Sequence, residues 1–285
     1  HMPERIAPFW VFDCLKPFGG SLSFQDGVCA VYFSMWIPED AQIGIIEGKV
    51  RAGQWEIPVR IEVSKAQVPE ESLSVLLFYK QENVCRFHHV EPGSAAFDEL
   101  DTAYLRMLRR MRQNALSCPG PEVVPLGDNR YEFTFTKMEA FMEKAIALGF
   151  TRLHCKLGVR EKWGSSTILV GGLPSMGYEG YCYLAQYLPA LSAFLEKRGW
   201  TDRCLLSVSD EPDKANVTEY RALCGLVRKL ATKIRLIEAS GTPVYGAIDI
   251  YVPLSSELDR NREEYETLRR YGEEIWYYDC CYPRW

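Results

Sequence analysis

The sequence lacks most of the signals that would assign a chemistry at once. Its four histidines and ten cysteines form no CxxC pair and no zinc-type spacing, so no metal constellation is written into it. No apolar run approaches the ~20 residues of a membrane span. No signal peptide is visible, and His1 and Met2 read as a cloning remnant that carries no weight. No GxGxxG turn follows the first strand of the α/β part, which removes the strongest sign of nucleotide binding. Positive charge is also short. With 33 Lys and Arg against 38 Asp and Glu, the net charge is -5, the wrong sign for a nucleic-acid face. The densest basic run, RMLRRMRQ from Arg106 to Gln113, is either a solvated helix face or a contact for an anionic ligand.

What is present is apolar and mixed. The cysteines lie mostly in apolar surroundings and act as small core residues. That favours a reducing, cytoplasmic compartment, although a secreted bacterial enzyme fits the same residues. Cys280 and Cys281 are neighbours, a geometry that rarely bridges. Residues 3–66 read as a β-rich segment, a partial sandwich. Val28 to Pro38, Ile43 to Gly53 and Trp55 to Val63 alternate and are rich in β-branched and aromatic residues, and RAGQW makes a hairpin turn. Lys65 to Glu71 is a linker.

Residues 70–285 alternate between strand and helix. Strands are expected at Leu73–Tyr79, Tyr131–Thr136, Arg152–Gly158, Cys204–Ser209, Ile234–Ala239, Ala247–Pro253 and Glu274–Cys281. One helix carries Leu100, Tyr104, Met107, Leu108 and Met111 on one face; the next carries Met138, Phe141, Met142 and Ala145. Leu184, Leu188, Leu191 and Leu195 mark a third, bent or restarted at Pro189 and ended by Gly199. Asn216 with Glu219 resembles a capping box for a fourth, and Leu258, Tyr265 and Leu268 mark a last one. Repeated β-α units with short apolar strands imply a parallel sheet covered by helices. About seven of them point to a (β/α)8-type barrel, α/β in class, that stops short of closure at its C-terminus. An unclosed barrel exposes an edge that a second copy of the chain, as a homo-oligomer, would cover.

In such a barrel chemistry gathers where strands end. CLLSVSDEPD, from Cys204 to Asp213, ends an apolar strand in two adjacent carboxylates, Asp210 and Glu211. A lone acid there would read as a helix N-cap. Two together repel, which is one route to the protonated carboxyl that a general acid needs. Paired carboxylates point to glycoside hydrolysis. Two layouts fit. An ordinary retaining enzyme needs a nucleophile ~5 Å from the acid, and Asp279 ends another strand. A substrate-assisted enzyme needs none, because the substrate's 2-acetamido oxygen attacks the anomeric carbon while one carboxylate orients that group and its neighbour protonates the leaving oxygen.

LSAFLEKRGWTDRCLLSVSDEPD, AIDIYVP and EIWYYDCCYPRW resemble the catalytic barrel of glycoside hydrolase family 123 and its uncharacterised relatives. MWIPEDAQIGIIEGKV resembles the end of that family's N-terminal β-sandwich. The resemblance covers most of residues 28–285 and is most specific at 194–213 and 274–284. It implies a retaining, substrate-assisted hydrolase of β-linked N-acetylgalactosamine or a related N-acetylhexosamine, with Asp210 stabilising the acetamido group and Glu211 as acid/base. It departs from the family where Asp279 replaces a neutral residue and Tyr282 a glycine.

Other residues offer a sugar pocket. Trp276 and Tyr278 share one side of a strand with Tyr277 on the other, and aromatic walls suit sugar faces or a plain core. Asp249 and Tyr251 lie toward a strand end, where Asp249 binds sugar hydroxyls or a neighbouring loop. His154 and Lys156 share one side of another strand. His88 and His89 are loop residues, and the stretch Gly164–Gly180, with Tyr178 and flanked by Trp163, is a long connection or a lid. The expected partner is carbohydrate, with no nucleic acid, and the mechanism calls for no cofactor. Beside this stand a two-carboxylate retaining glycosidase, with Glu211 as acid/base and Asp279 as nucleophile, and a non-catalytic carbohydrate-binding fragment.

Overall fold

The structure, a computed structural model, describes residues 20–21, 27, 29–66, 73–241 and 244–280. Val28, Cys14, Cys281, Tyr282 and most of the expected linker lie outside the described residues. Two compact units result, the first ending before Glu71 and the second beginning there.

In the first unit, β1 (Gly44–Ala52) and β2 (Trp55–Val63) form an antiparallel hairpin in continuous register from Gly44↔Val63 to Ala52↔Trp55. Gly53, at φ 60°, turns the chain in the left-handed region where a side chain would be strained. Lys49 and Arg51 both reach Glu56 across the strands, at 2.8 and 2.6 Å. The strand expected at Val28–Pro38 does not form among the described residues: Cys29 to Pro38 join no ladder. Alternating apolar residues favour a strand only where a neighbour takes its N–H and C=O groups.

The second unit runs through α1 (Gln81–His88), α2 (Ala95–Arg110), β3 (Ala115–Ser117), β4 (Glu122–Gly127), β5 (Arg130–Thr134), α3 (Thr136–Ala147), β6 (Arg152–Lys156), β7 (Gly158–Arg160), β8 (Ile168–Val170), β9 (Leu173–Pro174) and α4 (Tyr178–Arg198). Then follow β10 (Cys204–Ser207), α5 (Val217–Leu230), β11 (Arg235–Ala239), β12 (Ile250–Val252), α6 (Ser255–Arg260), α7 (Arg262–Arg270) and β13 (Glu274–Ile275). Six strands make one parallel sheet in the order β13-β12-β11-β10-β6-β3. Strands adjacent in this sheet follow one another in the chain. A doubly wound sheet would reverse its order at a switch point, and this one does not. The sheet is open; no closed sheet forms among the described residues.

One face of the sheet carries the main core. Leu153, Cys155, Cys204, Leu206 and Leu236 pack with Met138 and Met142 of α3, Leu184, Leu188, Leu191 and Leu195 of α4, and Leu223 and Val227 of α5. The predicted faces of α3 and α4 are buried in full, each leucine stabilising by about 1.5–3 kcal/mol. Helix α4 continues through Pro189 and ends at Gly199, whose φ of 68° provides the left-handed cap. The other face has a small cluster of Leu205, Ile237 and Ile250, with Trp276 against it. On β3 and β6 that same face turns polar, through Ser117, His154 and Lys156, which the register aligns with Leu205 and Ser207.

Several expectations change. Leu73–Tyr79 meets the sheet only through a bridge from Leu76 to Ala115. It is fastened by the Asn114 and Ala115 N–H groups donating to Val75 O and by a side-chain amide: buried Asn114 takes the Val75 N–H and donates to Leu73 O, both at 2.8 Å. The orientation of α2 follows Asp101 and Leu105 rather than the methionine stripe, and Met107 and Met111 are exposed. Asp101 is buried because Tyr79, Gln81 and Lys144 all donate to it. The glycine-rich stretch is no plain loop, since β7, β8 and β9 form a small antiparallel sheet there. The capping box is absent: Asn216 accepts from the Asp213 N–H, and Glu219 from the Ile168 N–H and the Ser175 hydroxyl.

Candidate active site

Ladder pairing between β10 and β11 ends at Leu206↔Leu236. Beyond it β10 stays paired only with β6, through Ser207↔Lys156, and two consecutive N–H groups need new acceptors. Glu238 supplies them. One carboxylate oxygen takes the Val208 and Ser209 N–H groups at 3.1 and 2.9 Å, and the other takes the Ser207 hydroxyl at 3.0 Å. Asp210 and Glu211 come next. Glu211 has φ 42°, unusual for a residue with a side chain and more so ahead of Pro212, because a following proline disfavours helical conformations. A backbone of this kind costs about 1–3 kcal/mol and persists only where its surroundings impose it.

Arg160 imposes it from the far side. Its guanidinium donates to the carbonyl of Asp210 at 3.2 Å and to that of Glu211, and reaches the Asp213 carboxylate at 2.7 Å. Asp213 also accepts the Ala215 N–H at 2.8 Å; that bond and Arg160 hold its carboxyl below the usual range. The Ser240 hydroxyl donates to Pro212 O at 3.3 Å.

The two acids then face different partners. Asp210 is exposed and lies 3.6 Å from the Lys156 ammonium. Glu211 accepts a 2.5 Å hydrogen bond from the Tyr278 hydroxyl. Partial burial, with the neighbouring Glu211, holds that phenol well above its ordinary range. Lys156 also stands 5.6 Å from the centre of the Phe78 ring and helps to line a cavity of about 540 Å³ with Phe78, Gln81, Ser117 and His154. His154 is buried, its Nδ1 3.3 Å from the Ser117 hydroxyl; burial lowers its pKa, and Lys156 adds to this.

Asp210, Glu211, Lys156, His154 and Tyr278 therefore gather at the C-terminal end of the sheet. Trp276 lies against Leu205, Ile237 and Ile250, its indole N–H donating to Glu274 at 2.6 Å. Asp279 is exposed one residue beyond Tyr278. Two expected site residues lie elsewhere. Asp249 precedes β12 and so stands at the opposite end of the sheet, where its carboxylate pairs with Arg228 at 2.8 Å and accepts the Leu236 N–H at 2.6 Å. Tyr251 is buried in the main core, and its hydroxyl accepts the Gly246 N–H at 3.1 Å. For both, the short β12 strand points the residues away from the acidic pair.

Glu238 and Arg160 are new. The signal for Glu238 was a lone acid inside the apolar strand RLIEA. Burial pushes its pKa up to about 8 against its three hydrogen bonds, and the charge of Asp210 adds to the rise. Among the described residues, no group of three or more His, Cys, Asp or Glu could hold a metal ion, and no helix is long and apolar enough to cross a membrane.

A search of curated proteins gave no match. Among solved structures, a family 123 glycoside hydrolase from Clostridium perfringens shares the fold at a TM-score of 0.70 and 14% identity, over 87% of this chain and 52% of that one. This chain thus spans about half the length of that enzyme. Fainter likenesses, from which nothing is drawn, are a tri-modular GH5 endo-β-1,4-glucanase from Bacillus licheniformis (TM-score 0.43, 11% identity, 61% and 42% of the two chains) and the β-glucuronidase of Parabacteroides merdae (0.38, 10%, 62% and 21%). The family model for the glycoside hydrolase 123 catalytic domain matches residues 122–285, more than half of the sequence, and the chain belongs to that family.

Proposed function

We propose that this chain is the catalytic part of a retaining glycosidase that removes β-linked N-acetylgalactosamine, or a related N-acetylhexosamine, with the help of the substrate's own acetamido group. The observation that carries the proposal is the separation of partners within one dipeptide: a cation beside Asp210 and a neutral phenol on Glu211, next to a cavity at the C-terminal ends of parallel strands. The strand order fits consecutive strands of a (β/α)8 barrel, whose chemistry is placed at that end.

In the first step Glu211 gives its proton to the glycosidic oxygen as the bond to the anomeric carbon breaks. The acetamido oxygen forms a new bond to that carbon, and Asp210 accepts the amide N–H and balances the positive charge that develops on the ring so formed. In the second step Glu211 takes a proton from water. The water oxygen bonds to the anomeric carbon, the acetamido C–O bond opens, and configuration is retained. Lys156 compensates the charge of Asp210, and Tyr278 fixes the orientation of Glu211.

The Clostridium perfringens relative is described for glycolipid glycan hydrolysis, so a glycolipid-type N-acetylgalactosaminide belongs in a substrate panel. The test is turnover of paired aryl β-galactosides with and without the 2-acetamido group. Hydrolysis confined to the acetamido member, and inhibition by a thiazoline analogue of the cyclised intermediate, supports the proposal. Equal hydrolysis of both points to a protein nucleophile, the role open to Asp279. Sugar binding without turnover leaves a carbohydrate-binding fragment.

A further inference from the structure

Glu238 is a buried carboxylate whose three hydrogen-bond donors all come from Ser207, Val208 and Ser209. None of them is a cation. Burying such a group away from positive charge is costly, and an apolar residue at this point of β11 would serve the core better. What the carboxylate does hold is the segment that leads directly into Asp210. Here β10 has parted from β11, so a side chain replaces the missing backbone acceptors. Arg160 grips the same loop from the other end through the Asp210 and Glu211 carbonyls. Between a carboxyl group on the N–H groups and a guanidinium on the carbonyls, the strained conformation of Glu211 has little room to relax.

We propose that Glu238 is a positioning residue: it anchors Ser207–Ser209 so that Asp210 and Glu211 are presented to substrate in reactive geometry. The inference rests on Asp210 and Glu211 being the catalytic pair, and it adds a residue that touches neither substrate nor the reacting atoms.

Three variants, Glu238→Ala, Glu238→Gln and Glu238→Asp, test it by steady-state kinetics on an aryl N-acetyl-β-galactosaminide and by hydrogen exchange of the 204–213 backbone. Alanine leaves three donors without an acceptor, so kcat falls on the order of a hundredfold with KM little changed, the scale expected for a misplaced catalytic group. Exchange at Val208 and Ser209 rises while the α4 core stays protected. Glutamine rescues both readouts, because its amide oxygen can take both N–H groups while its NH2 donates to Ser207. If the alanine variant does not fold, aspartate, one methylene short, gives the same two changes at smaller amplitude.

Wild-type kcat and exchange in alanine or aspartate overturns the proposal, as does a glutamine variant as impaired as alanine. If the wild-type chain turns over no acetamido glycoside, the glycosidase reading fails on its own, and the exchange measurement still decides whether Glu238 holds the loop.

Discussion

The two ends of the parallel sheet use their charges differently. At the N-terminal end two carboxylates are paired with arginines, Asp249 with Arg228 at 2.8 Å and Glu274 with Arg235 at 2.9 Å, and Glu273, its pKa raised by partial burial and by Asp249, stands beside them. At the C-terminal end three carboxylates, Asp210, Glu211 and Glu238, crowd one short stretch. Lys156 and Arg160 are there to meet them, and Arg160 is committed to backbone carbonyls and Asp213. The first arrangement fastens strands together. The second holds a strained backbone in place at the dipeptide for which catalysis is proposed.

Substitutions at the two ends should therefore fail differently. The largest effect is expected for Glu211→Gln, which removes the proposed proton donor and should lower kcat by about 10²- to 10⁴-fold without unfolding the chain. Asp210→Asn comes next: losing the charge proposed to balance the developing ring should lower kcat by about 10²-fold, with the loss confined to acetamido substrates. Tyr278→Phe deletes only the hydroxyl on Glu211 and should reduce kcat by roughly tenfold, about the 1.4 kcal/mol of one charge-assisted hydrogen bond. Asp249→Asn, at the other end, should leave kcat alone and lower thermal stability by about 1 kcal/mol or less, since it weakens a part-exposed pair with Arg228. Should Asp249→Asn cost activity at unchanged stability, the contrast between the ends would be broken.

The last effect is a slope. Glu238 has its pKa raised from 4.5 to about 8, so the folded chain keeps a proton that the unfolded chain gives up. Its contribution to stability is complete below about pH 4.5 and is lost as pH rises through about 8. Asp210 in the loop and Tyr220 and Cys224 on α5 are the other titratable groups facing it. Thermal melts across that range should show the wild type falling relative to Glu238→Gln. A constant difference would mean that Glu238 does not titrate there.

The acidic dipeptide was legible in the sequence because its chemistry is local: adjacent charges at the end of an apolar run. Family resemblance supplied the roles proposed for Asp210 and Glu211, and Tyr278 came with the aromatic strand. The helices α3 and α4 were legible for a related reason, since their apolar spacing matches the face they bury. Glu238 and Arg160 were not, because their work depends on where β10 parts from β11, and that is set by pairing between residues far apart in the chain. Asp249 misled for the same reason. An acid beside a short strand reads alike at either end, and only the register shows that it precedes β12. In α2 the buried Asp101, with three donors from other elements, outweighed an apolar stripe that periodicity alone would have turned inward.

The most direct test of the central claim is the rate of hydrolysis of an aryl β-galactosaminide series whose acetamido methyl is progressively fluorinated. If the acetamido oxygen is the nucleophile, each fluorine withdraws electron density from it and kcat/KM falls steeply along the series. A flat series would place the nucleophile in the protein and contradict the account.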